Sequence, residues 1–304
     1  MNIIKLESKY YDKWNEFCYK NKWFWHTTWN IQYILNSKFG TKFIDRSFFI
    51  KQNGQIVNVI PLIQENDKLI SPGFNDNKKI LEEVNKIALE NSTKCIQVES
   101  DIKSYLSVSG YTCILDLDNI HPTKGHKSCI KKSKKYLEYE IMTETKQFMK
   151  DYFEIAGKVT RPEKTFELLE KWIKLGYGIL LKAKYENNTA GYIYVVFMKE
   201  HAYYFMGCTY PQYKQYNVCH YLQSMVFEML KQEGIVYYEL GEQVYNSLHN
   251  QPTEKEKNIS KFKRGFGGHI AINPISEYFF SEEFFKETMN NRINIYIRSE
   301  YEND

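Results

Sequence analysis

Apolar and polar positions change period in a fixed order along the first half of the chain. Two β-prone runs, Lys42 to Ile50 and Gln55 to Ile63, are separated by Asn53-Gly54, a dipeptide suited to the positive φ angles of a tight hairpin turn. Ile80, Leu81, Val84, Ile87 and Ala88 then recur at helical spacing, and Cys95 to Glu99 reads as a short strand. The second half repeats the order. Gly178 to Tyr185 and Gly191 to Met198 flank the turn-rich Glu186-Asn187-Asn188-Thr189, and His201 to Gly207 continues as a third strand. Leu222, Met225, Val226, Met229 and Leu230 give one face of a helix from about Val218 to Glu233 that stops at Gly234, and Ile235 to Leu240 closes as a strand.

The same succession returns about 135 residues later without obvious residue identity, which is the pattern of two copies of one α/β module. Between them lie a lysine-rich stretch and a helical one containing Phe166, Leu169, Trp172 and Ile173, with Pro162 suited to its first turn. Asp116, Asp118, Pro122 and Gly125 interrupt the apolar pattern, so the expected division is 1–122, 123–280 and a terminal helix over 281–304.

A chain of 304 residues, 43% hydrophobic and 16% aromatic, can bury a sizeable core. Its longest apolar stretches are strand-length, short of the roughly 20 residues a membrane helix needs. Lys, Glu and Asp are scattered through the first fifteen residues, so no signal peptide, no transmembrane segment and a cytoplasmic location are expected. Cys18, Cys95, Cys113, Cys129, Cys208 and Cys219 stand apart without metal-ligand spacing; free thiols and no metal are expected. Cys219 and His220 are adjacent, which on a helix points them in different directions and argues against a catalytic pair.

The net charge of +4 is too mild to indicate DNA, but its distribution is uneven. Lys124, Lys127, Lys131, Lys132, Lys134 and Lys135 occur with no acid among them, reading either as an anion-attracting surface or as a solvated helix face. Downstream, Ile259 to Gly268 places three glycines within four residues beside Lys261, Lys263 and Arg264. That composition suits an oxyanion or phosphate site, with glycine amides assisting the cations, or else a basic loop joining two strands. It has the spacing of neither a P-loop nor a dinucleotide fingerprint.

Four segments together resemble the FemAB-type transferases. They are Trp29 with Ile60-Pro61-Leu62 and Ser71-Pro72-Gly73-Phe74; the basic stretch Ser128 to Lys135; His220 to Met225 running on through Lys231 to Gly241; and Phe262-Lys263-Arg264-Gly265-Phe266-Gly267, which looks like the family's F-K-x-G-F-G signature. The resemblance implies an α/β (α+β) fold of two tandem GNAT-like domains, mixed sheets flanked by helices, with the acceptor held in the cleft between them. It implies transfer of an aminoacyl or other acyl group to an amine, with aminoacyl-tRNA or acyl-CoA as co-substrate and no bound cofactor. Lys263, matching the signature lysine, is implied to stabilise charge at the reacting ester, a contribution of about 3 kcal/mol for a well-placed cation.

The amine must also lose a proton, for which Tyr204, Glu239, His220 and Glu242 are candidates. Arg264, Gln215, His220, Lys131 and Lys132 are candidates for binding substrate, the lysines through the phosphates of a tRNA. The lysine that peptidoglycan-bridge members place just after the first-domain Trp is replaced by Asn30, Ile31 and Gln32, with Lys38 the first lysine beyond, which counts against a UDP-linked muropeptide acceptor. No glycine-rich pyrophosphate loop precedes Val218, and no charged helical arm is present. The resemblance implies as acceptor a primary amine of a cell-envelope, sugar or peptide molecule, or of another small molecule. The alternatives are an acyl-CoA-dependent N-acyltransferase acting on an amino sugar, and a non-catalytic module binding an anionic glycan or RNA.

Overall fold

A computed structural model describes residues 2–21, 24–247 and 251–301. Strand β1 (Asn2–Lys5) is followed by helices α1 (Tyr11–Asn21) and α2 (Thr28–Leu35) and strands β2 (Phe43–Asp45), β3 (Phe48–Gln52), β4 (Gln55–Ile60), β5 (Ile63–Glu65) and β6 (Lys68–Ser71). Next come α3 (Lys78–Glu90), β7 (Cys95–Val98), β8 (Leu106–Asp116), α4 (Lys124–Ser133), β9 (Glu138–Met142), α5 (Lys146–Ala156) and α6 (Glu163–Lys174). The remainder is β10 (Gly178–Tyr185), β11 (Asn188–Met198), β12 (His201–Thr209), α7 (Val218–Gln232), β13 (Tyr237–Glu242), α8 (Glu254–Arg264), β14 (His269–Phe279) and α9 (Glu282–Tyr301). The Asn53-Gly54 turn joins β3 to β4 with both residues at positive φ, as the dipeptide demands.

Each half contains a parallel strand-helix-strand unit, β6-α3-β7 in the first and β12-α7-β13 in the second. The strand that follows each unit pairs with the other unit: β8 runs antiparallel to β13, and β14 runs antiparallel to β7. β8 and β14 also pair with each other from His269↔Ile114 to Glu277↔Leu106. The result is an 11-stranded sheet, order β2-β5-β6-β7-β14-β8-β13-β12-β11-β10-β9, beside a three-stranded β1-β3-β4 sheet. Neither parallel unit presents an open edge at the centre, because a strand from the other half covers it.

Strand alternation sorts the core by face. On β11, Ile193 and Val195 pack toward α7 with Leu222, Val226 and Tyr238, whereas Tyr192, Tyr194 and Val196 pack toward α5 and α6 with Phe148, Phe166, Leu169 and Trp172. On β3, Phe48 and Ile50 meet α3, and Phe49 meets Trp14 of α1. Helix α2 ties the halves together. Ile31 packs with the first-half cluster, while Trp29 lies 4.5 Å from Tyr177 and Tyr33 lies 5.7 Å from Trp172 (ring centroids). The six cysteines are free, and among the described residues no helix is long and apolar enough to cross a membrane.

The central β8–β14 contact leaves no room for a side chain at Gly110, where a Cβ would stand 2.6 Å from the Asn273 carbonyl oxygen. Gly110→Val is expected to cost about 1–3 kcal/mol through overpacking and to lower Tm by roughly 5 °C in calorimetry. Gly125→Ala, at a site with no atom within 4 Å, is expected to leave Tm unchanged or slightly higher.

Candidate active site

A cleft of about 430 Å³ opens between the halves. Trp25, Asn30, Tyr33 and Ile34 form one wall, Ile63, Ile70, Ser71, Pro72, Gln97 and Glu99 another, and Phe205 of β12 enters from the second half. The walls are fixed locally. Thr27 caps α2 by accepting from the Asn30 N–H, the Asn30 side chain donates to the Trp25 carbonyl at 2.8 Å, and the His26 ring is bonded to the Gly73 carbonyl at 2.8 Å. Arg161 donates to the Tyr33 hydroxyl from behind the wall.

Beyond this cleft β12 and β13 separate. They pair in parallel only from His201↔Tyr237 to Tyr203↔Glu239, after which β13 carries an irregularity between Glu239 and Gly241. Irregularities of this kind re-aim side chains beside functional sites. Glu239 accepts from the Thr112 hydroxyl at 2.7 Å, and burial pushes its carboxyl above the ordinary range, with Thr112 and Lys263 pulling the other way. Glu99 stands at the end of β7, open to the cleft yet closely surrounded by protein. Burial raises its carboxyl, the Asn273 amide opposes this, and the charges of Glu239 and Glu242 add to it. The sequence reading did not single out Glu99, because it sits one residue beyond a short strand with no motif around it. Its only signal was being a charged residue at the end of a parallel strand.

Lys263 lies in the last turn of α8, and its Nζ donates to the Glu242 carbonyl at 3.3 Å beside Gly241. Burial lowers its pKa, while Glu242, Cys113 and Glu239 act to raise it. Lys263 and Glu239 are therefore brought within electrostatic reach of each other, and Glu99 links them to the cleft.

The segment expected as a glycine-rich loop is instead a helix end. Lys261, Lys263 and Arg264 belong to α8, which a Thr253–Glu256 capping box starts. The amides of Gly265, Phe266 and Gly267 do not point at an open site: they donate to the carbonyls of Lys261 and Phe262, Lys263 and Arg264 respectively. Helix ends leave carbonyls without intrahelical partners, and these amides satisfy them. The close approach that the glycines permit is used by the chain itself. A Cβ on Gly265 would fall inside the His126 ring, and one on Gly267 would strike the His121 carbonyl.

The other residues expected at the site are dispersed. Tyr204 points to the α7 face, packed against the core there, with its hydroxyl beside Gly207; Glu239 is on the opposite side of the sheet, as is the cleft-lining Phe205. His220 sits in an aromatic box, 4.6 Å from His126 and 5.0 Å from Phe262 between ring centroids, and burial lowers its pKa to about 4. Its neighbour Cys219 contacts the Thr209 hydroxyl at 3.2 Å instead. Arg264 donates to Gln243 at 3.0 Å and lies over Tyr245, next to the end of β13. Gln215 is exposed on the turn Pro211–Tyr216. Lys131 and Lys132 are exposed on α4 with Lys124, Lys127 and, just beyond it, Lys135. Among the described residues none of these five lysines forms an ion pair, whereas Lys134 pairs with Glu228 at 2.8 Å. Lys38 is held by Glu65.

Two α/β modules set side by side, the second with parallel strands that part after Glu239, are the tandem GNAT-like fold. Residues 126–273 match the model of the FemAB family, which supports an aminoacyl- or acyltransferase in general terms. Among solved structures the chain is similar to FemX, at 13% identity and a TM-score of 0.68 over 95% of this chain and 100% of that one. It is also similar to L-PGS from Bacillus licheniformis (12%, TM-score 0.58, 84% and 89% covered) and to a tandem GNAT protein from the clavulanic acid biosynthesis pathway (10%, 0.52, 91% and 98%). At these identities the likeness establishes the fold. No curated protein sequence matches the chain significantly.

His26 and His220 are both held neutral by burial, their pKa values lowered from 6.5 to about 4. Between those values the unfolded chain binds the proton and the folded one does not, so stability is full above pH 6.5 and declines as pH falls. Tm is expected to be flat from pH 7 to 8 and to decline from pH 6.5 to 5, and His220→Phe should shallow that decline in a pH series of thermal melts.

Proposed function

We propose that the protein transfers an aminoacyl or related acyl group onto a primary amine of a cell-envelope, sugar or peptide acceptor. The observation that carries this reading is the placement of Lys263 beside the irregularity of β13, its Nζ on the Glu242 carbonyl and within electrostatic reach of the half-buried Glu239. As an amine attacks an ester carbonyl, negative charge grows on the oxygen, and the Lys263 ammonium, poorly hydrated at this half-buried position, stabilises it more strongly than in water. Glu99 holds the acceptor as its ammonium and Glu239, its basicity raised by burial, takes one proton from it; the free amine then forms the C–N bond, the ester C–O bond breaks, and the donor's hydroxyl leaves with the second proton shed by the nitrogen. Tyr204, on the far face, serves the core.

Aminoacyl-tRNA is the donor this surface fits best. The free lysines of α4 form one face of the helix, and the chain runs on from it to Tyr136, which is 54% exposed and meets Tyr216, itself stacked on Tyr185 at 4.1 Å. Cations that follow a backbone beside rings on which bases stack are how proteins hold single-stranded RNA ends. Such a donor places the reaction in the cytoplasm. The division of the chain at residue 122 belongs to the same reading, with one module for the acceptor wall and one for the transfer.

Lys263→Ala is expected to lower kcat by about 10²-fold with little change in KM, measured as deacylation of a charged-tRNA pool in the presence of amine acceptors such as glucosamine and a lysine-containing peptide. Thermal shift with tRNA that fades at high salt supports this donor, and a shift with CoA that survives salt transfers the reading to an acyl-CoA-dependent N-acyltransferase. Lys131→Glu with Lys132→Glu should abolish the tRNA shift and leave any CoA shift intact.

A further inference from the structure

Lys263 extends a flexible four-carbon stem from the last turn of a helix, the part where carbonyls lack intrahelical partners and the backbone frays. A charge meant to meet a developing oxyanion must be held to within a fraction of an ångström, so something must fix this turn. Beyond the Gly265 to Gly267 amides that close it, the contacts that do so come from the N-cap and first turn of α4, and they bracket Lys263. On one side, the His126 ring is bonded through Nε2 to the Phe262 carbonyl at 2.9 Å. On the other, the Thr123 N–H donates to the Gly265 carbonyl at 2.9 Å, and the His126 ring occupies the space a Gly265 side chain would need.

The ring is itself oriented. Nδ1 lies 3.2 Å from the Thr123 hydroxyl, so the neutral tautomer with the proton on Nε2 donates to Phe262 and accepts from Thr123. Phe266, 4.7 Å away, and His220, 4.6 Å away, each present a ring at a steep angle to it. His126 does not line the cleft. We propose that His126 is a positioning residue for Lys263: its imidazole, clamped by Thr123, pins the carbonyl before Lys263 and seats on Gly265, so that the Nζ is held at the Glu242 carbonyl beside the irregularity of β13. This rests on the reading of Lys263 as the charge-stabilising group, and it also accounts for the glycine at 265 as the socket for the ring.

The test uses the full chain with His126→Phe, which keeps a ring over Gly265 without the donor, and His126→Gln, which keeps a donor. Two quantities are read: deacylation of the charged-tRNA pool, and the acetylation of Lys263 by acetic anhydride relative to exposed Lys261, followed by peptide mass spectrometry. His126→Phe is expected to lower kcat about tenfold with KM within about twofold, and to change the Lys263 to Lys261 ratio by about threefold or more; His126→Gln should recover most of both. An unchanged labelling ratio in His126→Phe overturns the proposal whatever the activity does. If Lys263→Ala leaves deacylation intact, the catalytic reading of Lys263 fails, while the labelling ratio still decides whether His126 holds it. Should His126→Phe not fold, Thr123→Val, which frees Nδ1, replaces it: a shifted ratio supports the clamp and an unshifted one overturns it.

Discussion

The pairing of β8 with β14 is the interaction on which the rest of the molecule depends. Each strand leaves one parallel unit and completes the other, so the two modules share a single hydrogen-bonded sheet from β2 at one edge to β9 at the other. A backbone N–H or C=O buried without a partner is costly, and an exposed strand edge invites foreign pairing; the exchange removes both problems at the centre of the sheet. It also places the polar residues of the site. Thr112, on β8, reaches Glu239 on β13, and Asn273, on β14, stands by Glu99 at the end of β7.

The cleft follows from this frame and from α2. Asn30 and Tyr33 are presented by α2, whose faces pack on both halves, and Trp25 by the turn Phe24–His26 just before it, so the aromatic wall rests on both cores. Opposite charges converge beside the irregularity of β13. Burial works on Glu239 and Lys263 in the same sense, disfavouring the charged form of each, and their mutual attraction restrains it. The arrangement keeps a cation and a carboxylate near one another without fusing them into an ion pair, since the Lys263 Nζ is bonded to a carbonyl instead.

The helix α8 shows how a string that reads as a loop can fold as a helix end. A basic glycine-rich string suggests an anion cradle of backbone amides, but those amides close the end of α8 and the glycines admit His126 and His121. The cation alone is presented, at the Glu242 carbonyl beside the irregularity of β13. Lysine and arginine in the last turn also complement the negative end of the helix dipole, which helps a capped helix of eleven residues persist beside a site.

Periodicity in the sequence was sufficient to place the β3–β4 hairpin, α3, β10 to β12 and α7, because each buries its own apolar face locally and carries its own turn or stop signal, such as Asn53-Gly54 or Gly234. It also carried the duplication, whereas Lys263 was singled out by the resemblance of Phe262 to Gly267 to the FemAB signature. Tertiary structure alone decided the exchange of β8 and β14. β14 contains Pro274, which argues against a central strand from sequence, and the fold accommodates it where β14 pairs with β8 only, since pairing with β7 begins at Ser276. The face of each site residue was likewise set by strand pairing: Tyr204 and Glu239 look alike in sequence, but a period of two sends Tyr204 to the core with Tyr238 and Glu239 to the opposite face. Glu99, Thr112 and His126 are polar residues without a local pattern, and only contacts separated by more than a hundred residues give them roles.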